Sequence, residues 1–363
     1  MLKSIGIGAE LFHELIESNS YYVDKTPFIR TVFKDNTSKV MLITRPRRFG
    51  KTLTMSTFYD FLSLNIKNPG DVSLQEKWFK NTKIFEDKEF CNEYMGKFPV
   101  IFMSFKTIVH QNFNDAYNQF ATLIYRLALQ FEYLSASKEL SDKQKEQYAN
   151  LSNYEKLTDR TNKSYLTGSL QTLSCLLEAH HKIKPIILID EYDVPIAKAA
   201  YHGYYDEMID LISPFYNDTL KTNMYLGRAV LTGCLRAAKE SIFTGLNNLM
   251  VCSILDSGKK DISKGIGFTK EETYEVLSYY GFTDYYAKEF QMMEYLMSNP
   301  GMLISTERFM DKVWGLDFDG DVNIVWTNLS YLRRKLTGIG ANVKIKATRN
   351  AGYSLEIDDD KQA

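Results

Sequence analysis

Residues 40–52 read VMLITRPRRFGKT, and the fold class turns on how that run is parsed. Its first five residues, Val40 to Thr44, are apolar and partly β-branched, the composition of a short buried strand. Arg45 to Thr52, RPRRFGKT, is a basic turn with a single glycine, and residues 52–64 behind it carry helical spacing. A strand, a glycine turn and a helix start in that order aim backbone amides at one place, where the helix N-terminus favours an anion. The run therefore predicts a phosphate cradle formed by Arg45, Pro46, Arg47, Arg48, Phe49, Gly50, Lys51 and Thr52. Lys51 would contact the β- and γ-phosphates of a nucleotide, and the Thr52 hydroxyl would ligate Mg2+. The pattern GxxxxGK[ST] asks for glycine where Arg45 stands, so on this segment alone a basic turn capping an ordinary helix fits equally well.

A second motif shifts the balance. Ile186, Ile187, Leu188 and Ile189 run into Asp190 and Glu191. Four aliphatics followed by two acids put adjacent carboxylates at the carboxyl end of a buried strand, where ligands of open α/β sheets gather. Asp190 would hold the Mg2+ shell and Glu191 would orient and activate water. A further strand over Met224 to Leu231 ends at Thr232, a polar group near the terminal phosphate, and Arg236 either reaches the same phosphate or begins a surface helix, the two fitting equally well. Catalytic work is thus expected of Glu191, Lys51 and Arg236. Between these strands, helical patterns at 114–130, 170–181 and 205–220 alternate with β-prone runs, one of them 98–105. The alternation predicts an α/β fold with a parallel sheet covered by helices on both faces. The polar stretch 135–163 reads as a surface insertion of charged helix and loop.

Residues 1–283 resemble the prokaryotic AAA-ATPase-like family of the P-loop superclass. The carrying segments are IGIGAELFHELIESNSYYVDKT at 5–26, TRPRRFGKT at 44–52, ILIDEYDVP at 187–195 and LTGCLRAAKESIFTGLNNL at 231–249. In that family Arg normally takes the place of the first glycine, so Arg45 fits the pattern. The resemblance implies ATP binding by Lys51 and Thr52 and action of Asp190 and Glu191 on Mg2+ and water. Hydrolysis to ADP and phosphate is expected to be slow, since the residues name no firm arginine finger. Tyr22, Val23, Asp24 and Lys25 match its N-terminal YVDKT motif, whose role does not follow from the residues. Members usually continue into a PD-(D/E)XK nuclease-like domain, and a different pattern occupies that place here.

That pattern begins near residue 285. A helix over 288–298 ends at Asn299-Pro300-Gly301, Ser305 can cap a second, and a third carries Val322, Val325, Leu329, Leu332 and Leu336 at spacings that make one apolar stripe. Its other face holds Asn323, Thr327, Ser330, Tyr331 and Arg334. Arg333, Arg334, Lys335, Lys344, Lys346 and Arg349 follow with no acid between them, and 343–348 and 353–357 predict a hairpin turning at 349–352. A polar helix face with a basic hairpin has the layout of a winged helix-turn-helix on double-stranded DNA. A solvated basic face on a small structural domain is the alternative. Residues 286–357 resemble the OmpR/PhoB-type winged-helix domain of response regulators, through EFQMMEYLMSNPGMLISTERFMDKVWG, DFDGDVNIVWTNLSYLRRKL and IKATRNAGYSLE. The resemblance implies a recognition helix over 323–336, Arg349 on the wing, and a loop at 316–320 that meets RNA polymerase. The DNA contacts expected are Asn323, Thr327, Tyr331, Arg333, Arg334, Lys335 and Arg349. Response regulators place a phospho-accepting receiver ahead of this domain; the resemblance thus points to phosphorelay signal transduction, while no receiver pattern is recognisable here, which argues against that control.

The whole-chain numbers are quieter. With 363 residues, 44 Lys plus Arg against 45 Asp plus Glu, and 44% hydrophobic residues, the chain is an ordinary two-domain globular length with no bulk preference for polyanions. Cys91, Cys175, Cys234 and Cys252 are scattered without metal-ligand spacing, and no secretory signal or membrane-length apolar run is visible, so a cytoplasmic location is expected. Two domains, 1–283 and 284–363, follow. The expected function is a nucleotide-dependent DNA-binding or transcriptional regulator using ATP and Mg2+. The alternative is an ATPase of the nuclease-linked family whose nuclease domain was lost, with the winged helix a passenger of gene fusion.

Overall fold

The structure, a computed structural model, describes residues 2–6, 8–34, 38–234, 249–253, 264–281, 283–315, 318, 320–348 and 351–358. The chain forms two compact units, Lys3–Phe268 and, from Thr269 onward, a smaller one. Among the described residues no helix is long and apolar enough to cross a membrane.

The larger unit is built on five parallel strands, β1 (Val40–Thr44), β2 (Val100–Ser104), β3 (Ile186–Asp190), β4 (Arg228–Gly233) and β5 (Leu249–Cys252). They lie in the order β2-β3-β4-β1-β5. Because side chains alternate faces along a strand, each strand feeds two separate cores. Val40, Leu42, Ile101, Met103, Ile187, Ile189, Ala229 and Leu231 join one apolar cluster. Met41, Ile43, Val100, Ile186, Leu188 and Val230 join the other. Helices Phe113–Leu129, Ser169–His181 and Tyr205–Tyr216 cover the first face, and Lys51–Leu62 with Pro27–Lys34 the second. This burial on both sides is why the strands read as continuous apolar runs.

Two details differ from the sequence expectation. The fourth strand starts at Arg228, because the Asn223 side chain accepts from the Tyr225 amide at 3.1 Å and turns the chain, leaving Met224 exposed. The stretch at 135–163 is more than a surface insertion. Leu140, Tyr148, Leu151 and Leu157 enter the larger core, and the Tyr148 hydroxyl donates to the Ala128 carbonyl at 3.0 Å. Its helix Asp142–Leu151 opens with a Ser141/Gln144 capping box.

In the smaller unit, helices Thr283–Met297, Thr306–Trp314 and Asn323–Gly338 and the antiparallel pair β6 (Val343–Thr348) and β7 (Gly352–Ile357) enclose a core of Met292, Leu296, Phe309, Val325, Leu329 and Ile345. Ser305 caps the second helix by accepting from the Arg308 amide. Val322 falls outside the apolar stripe. It precedes the first helical residue and is exposed, whereas Val325, Leu329 and Leu332 are buried. Helix Lys270–Tyr279 also belongs to this unit, with Tyr274 edge-on to Phe290 and Lys270 paired to Glu294 at 2.8 Å. By contacts, then, the smaller unit begins at Thr269, ahead of the boundary near 285 read from motif patterns.

Candidate nucleotide site and winged helix

β1 delivers the chain into the loop at the carboxyl edge of the sheet, between β4 and β5. Gly50 caps the following helix with φ 78°, a left-handed conformation that favours glycine and fixes its place in the loop. The first turn of that helix leaves N–H groups without intrahelical acceptors, since the run of bonds begins with Thr54 donating to the Gly50 carbonyl. Amides and helix dipole then favour an anion at the loop. Pro46, Arg47, Arg48 and Phe49 are exposed around it.

Lys51 is buried, and its ammonium folds back over the loop. Nζ donates to the carbonyls of Arg45 at 3.1 Å and Pro46 at 2.9 Å, and lies 3.3 Å from Cys234 Sγ. Arg45 does something other than expected. It is 2% exposed, its guanidinium donates to the carbonyls of Thr44 at 2.9 Å and Cys252 at 3.2 Å, and its amide donates to Gly233 at 3.0 Å. Side chain and amide are both committed to the sheet edge. Arg45 therefore braces β1 against β4 and β5 rather than contacting a phosphate, and an arginine can stand at the glycine position because its side chain turns inward.

Asp190, 1% exposed at the end of β3, gathers the motifs. Its Oδ2 accepts from Thr52 Oγ1 at 2.7 Å, and its Oδ1 accepts from Thr232 Oγ1 at the end of β4. The inserted strand β4 is what brings Thr232 to Asp190. Glu191 follows with φ 55°, an uncommon left-handed conformation for a non-glycine residue. Burial, reinforced by the neighbouring Asp190 carboxylate, holds Glu191 above the usual glutamate range, with Lys51 and Lys106 opposing the shift. Lys106 escaped the sequence reading. β2 pairs with β3 so that Ser104 lies opposite Asp190, which carries the turn holding Lys106 to the acidic edge, where it also pairs with Glu10. Only the strand order reveals this.

Among the described residues no three His, Cys, Asp or Glu side chains cluster as a metal cage. One hydroxyl and one carboxylate, Thr52 Oγ1 and Asp190 Oδ2, meet at the loop. That hard-oxygen pair fits Mg2+, which keeps several waters and takes its other ligands from phosphate oxygens. Arg236 lies outside the described residues, as does Arg349.

In the smaller unit, Asn323, Thr327, Ser330 and Arg334 are exposed on helix Asn323–Gly338, and Tyr331 is half-buried with the Arg334 guanidinium 5.8 Å from its ring centre. Two residues expected on that surface are held within the unit. Arg333 Nε donates to the Ile345 carbonyl at 2.9 Å, and its guanidinium lies over Tyr353. Lys335 pairs with Glu289, a carboxylate only 3% exposed. On the hairpin, Lys344 pairs with Asp358 at 2.9 Å and Lys346 with Glu356 at 3.3 Å. The basic strip is therefore partly neutralised by acids that the linear run does not contain.

Comparison with known proteins agrees with both halves. Residues 283–355 match the family described as transcriptional regulatory protein, C terminal. Over this region the chain is 36% identical across 69 residues to the heme response regulator HssR of Staphylococcus saprophyticus, covering 19% of this chain and 31% of that protein. It is 39% identical across 70 residues to the sensory transduction protein RegX3 of Mycobacterium leprae, covering 19% and 35% respectively. The chain thus spans about a third of the length of these curated relatives. The smaller unit is accordingly a winged-helix domain of the OmpR/PhoB DNA-binding type. The model for the family described as Predicted AAA-ATPase matches residues 6–243, well over half of the chain, and together with the loop and the acids at its sheet edge this makes the protein a member of that AAA-ATPase-like family.

Proposed function

We propose that the protein is an ATP-binding, slowly hydrolysing DNA-binding regulator, in which the nucleotide state of the larger unit sets how the winged helix engages double-stranded DNA. The observation that carries the nucleotide half is the buried relay Thr52–Asp190–Thr232, which ties the loop helix, β3 and β4 at one point. Mg2+ held at Thr52 and Asp190 would supply charge neutralisation for the phosphates. Lys51 draws its ammonium from the loop carbonyls to the β- and γ-phosphate oxygens, and the first-turn amides bind the remaining charge. Glu191 accepts a proton from the attacking water, a role that its raised pKa suits. Hydrolysis is slow in this reading because no arginine finger is assigned beyond Arg236, whose reach to the terminal phosphate is an expectation from the sequence alone.

For DNA, Asn323, Thr327, Tyr331 and Arg334 form the reading face, Arg333 and Lys335 set the posture of the helix, and Arg349 belongs to the wing. The loop at 316–320 is proposed to meet RNA polymerase, as the resemblance implies. The coupling is tested by measuring binding of the full chain to genomic DNA fragments with and without MgATP, with Lys51→Ala as control. A change in affinity on adding MgATP that Lys51→Ala removes supports the reading. Equal affinities throughout remove the coupling and favour the passenger reading, for which the winged helix's own apolar core speaks.

A further inference from the structure

Beside the phosphate loop, within the larger unit, lies a cavity of about 440 Å³. It is walled by Phe49 and Gly50 of the loop, by Leu53 of the helix behind it, by Tyr22 and Val23 of the N-terminal motif, and by Phe268. Neither Asp190 nor Glu191 lines it. The volume is in the range of small-molecule sites, roughly 300–1,000 Å³, and the lining is mainly apolar and aromatic with Lys25 and Arg48 at its edge.

The N-terminal YVDKT residues tie its wall to the rest of the unit. Asp24 Oδ1 accepts from the Thr26 amide at 2.9 Å and Oδ2 from the Lys83 amide at 2.6 Å, which ties the motif to the body. Lys25 Nζ donates to the Lys264 carbonyl at 2.7 Å, which ties it to the segment after β5. Two glycines let that segment approach. A Cβ on Gly265 would lie 2.1 Å from the Phe28 ring, and Gly267 has φ +85° with the Phe49 ring against its face.

Position decides what such a cavity takes. β1 has β4 on one side and β5 on the other. The acids lie toward β4 and β3, so the terminal phosphate of a bound nucleotide points that way and the rest of the molecule leaves the loop on the opposite flank. The cavity adjoins the loop at Arg48, Phe49 and Gly50, is closed by Gly265, Gly267 and Phe268, and excludes both acids, so it lies on the side of the loop that this part of the ligand would take. We propose that the cavity receives the base and sugar of the nucleotide, the base held by desolvation and stacking against its aromatic walls, with Tyr22 to Thr26 as the brace of its outer wall. This rests on the nucleotide reading above and adds the part of the ligand that the loop does not see.

The test titrates the full chain with MgATP and with magnesium tripolyphosphate, which has the phosphates and no base. Wild type is expected to bind MgATP about tenfold or more tighter than tripolyphosphate, the scale of one well-stacked ring with its apolar contact. Val23→Trp, which fills the cavity, should erase that difference and leave tripolyphosphate binding within about twofold. Phe268→Ala, at a rim side chain 64% exposed, should weaken MgATP by about threefold without touching the core, and decides the matter if Val23→Trp does not fold. Equal affinity of wild type for the two ligands overturns the proposal, as does unaltered MgATP affinity in folded Phe268→Ala and Val23→Trp. Wild type binding neither ligand overturns the nucleotide reading itself, and Lys51→Ala losing both is the result that keeps the two failures apart.

Discussion

At the phosphate loop, Thr52 and Thr232 both donate to the buried Asp190 and Arg45 is sunk into the sheet edge, whereas on helix Asn323–Gly338 the side chains of Asn323, Thr327, Ser330 and Arg334 stand in solvent. The first arrangement is preorganised for charge developing at one point, because buried dipoles are fixed in place before a ligand arrives. The second keeps its side chains at the surface, with Asn323 donating to Asp321 and Thr327 to the Asn323 carbonyl, local bonds that a partner bringing its own groove can exchange. Each region also contains basic residues that the sequence grouped with the contacts and the fold has engaged elsewhere: buried Arg45 in one, and in the other Arg333 and the exposed Lys335, which pairs with Glu289. A basic residue inside a motif is thus a contact only if tertiary packing leaves it one to make.

Substitutions that separate contacts from braces sharpen this comparison. The largest effect is expected for Glu191→Gln, which should lower steady-state phosphate release by about 10²–10⁴-fold while MgATP still binds. The acid limb of the wild-type rate should lie above the ordinary value of 4.5, because burial and Asp190 raise the Glu191 pKa. Such a group favours the fold while protonated and loses that contribution as pH rises through its raised pKa, so Glu191→Gln should also melt slightly higher at neutral pH. A rate independent of pH through that limb would remove Glu191 as the base.

Next comes Arg45→Ala. It strips the Thr44 and Cys252 carbonyls of a buried donor and should cost about 2–4 kcal/mol in denaturant unfolding, with MgATP affinity of the folded fraction kept within about threefold. Lost nucleotide affinity at full stability would return Arg45 to the contacts. In the smaller unit, Lys335→Ala should destabilise by about 1–3 kcal/mol, because it leaves the buried Glu289 without its ammonium. Arg334→Ala should instead leave stability alone, weaken DNA binding about fivefold and lower the salt slope by about one. For the wild type, pairing of Lys335, Lys344 and Lys346 predicts a salt dependence shallower than the roughly −5 that six free cations would give. The smallest effect concerns Cys234, whose Sγ sits 3.3 Å from Lys51 Nζ. MgATP is expected to slow its alkylation a few-fold, read by peptide mass mapping, and no protection would mean that the phosphates settle elsewhere.

Much of this was legible in the chain. Val40 to Thr44 and Ile186 to Asp190 are strands where their apolar runs place them, Thr52 donates to Asp190, and the capped helix at Ser305 and the antiparallel pairing of 343–348 with 352–357 lie where their patterns put them. These features depend on local periodicity, turn chemistry and capping, which act over a few residues. The domain edge was less legible, because helix Lys270–Tyr279 continues one sequence pattern yet packs with Phe290 and Glu294.

What the sequence determined by itself is the inventory: strand, glycine turn and helix for an anion, two acids behind a buried strand, and a capped, striped helix followed by a hairpin. What only the tertiary structure decided is which polar groups face a ligand. Strand order put β4 between β1 and β3, so that Thr232 meets Asp190, and it brought Lys106 to the same edge. Packing turned Arg45 inward, engaged Arg333 with the Ile345 carbonyl and Lys335 with Glu289, and folded Tyr22 to Thr26 against residues 264–268 to wall a cavity. The reason is physical. A charged side chain joins whichever carbonyl, carboxylate or ring the fold brings within a few ångströms of it, and partners such as Cys252 for Arg45 and Glu289 for Lys335 lie far away along the chain.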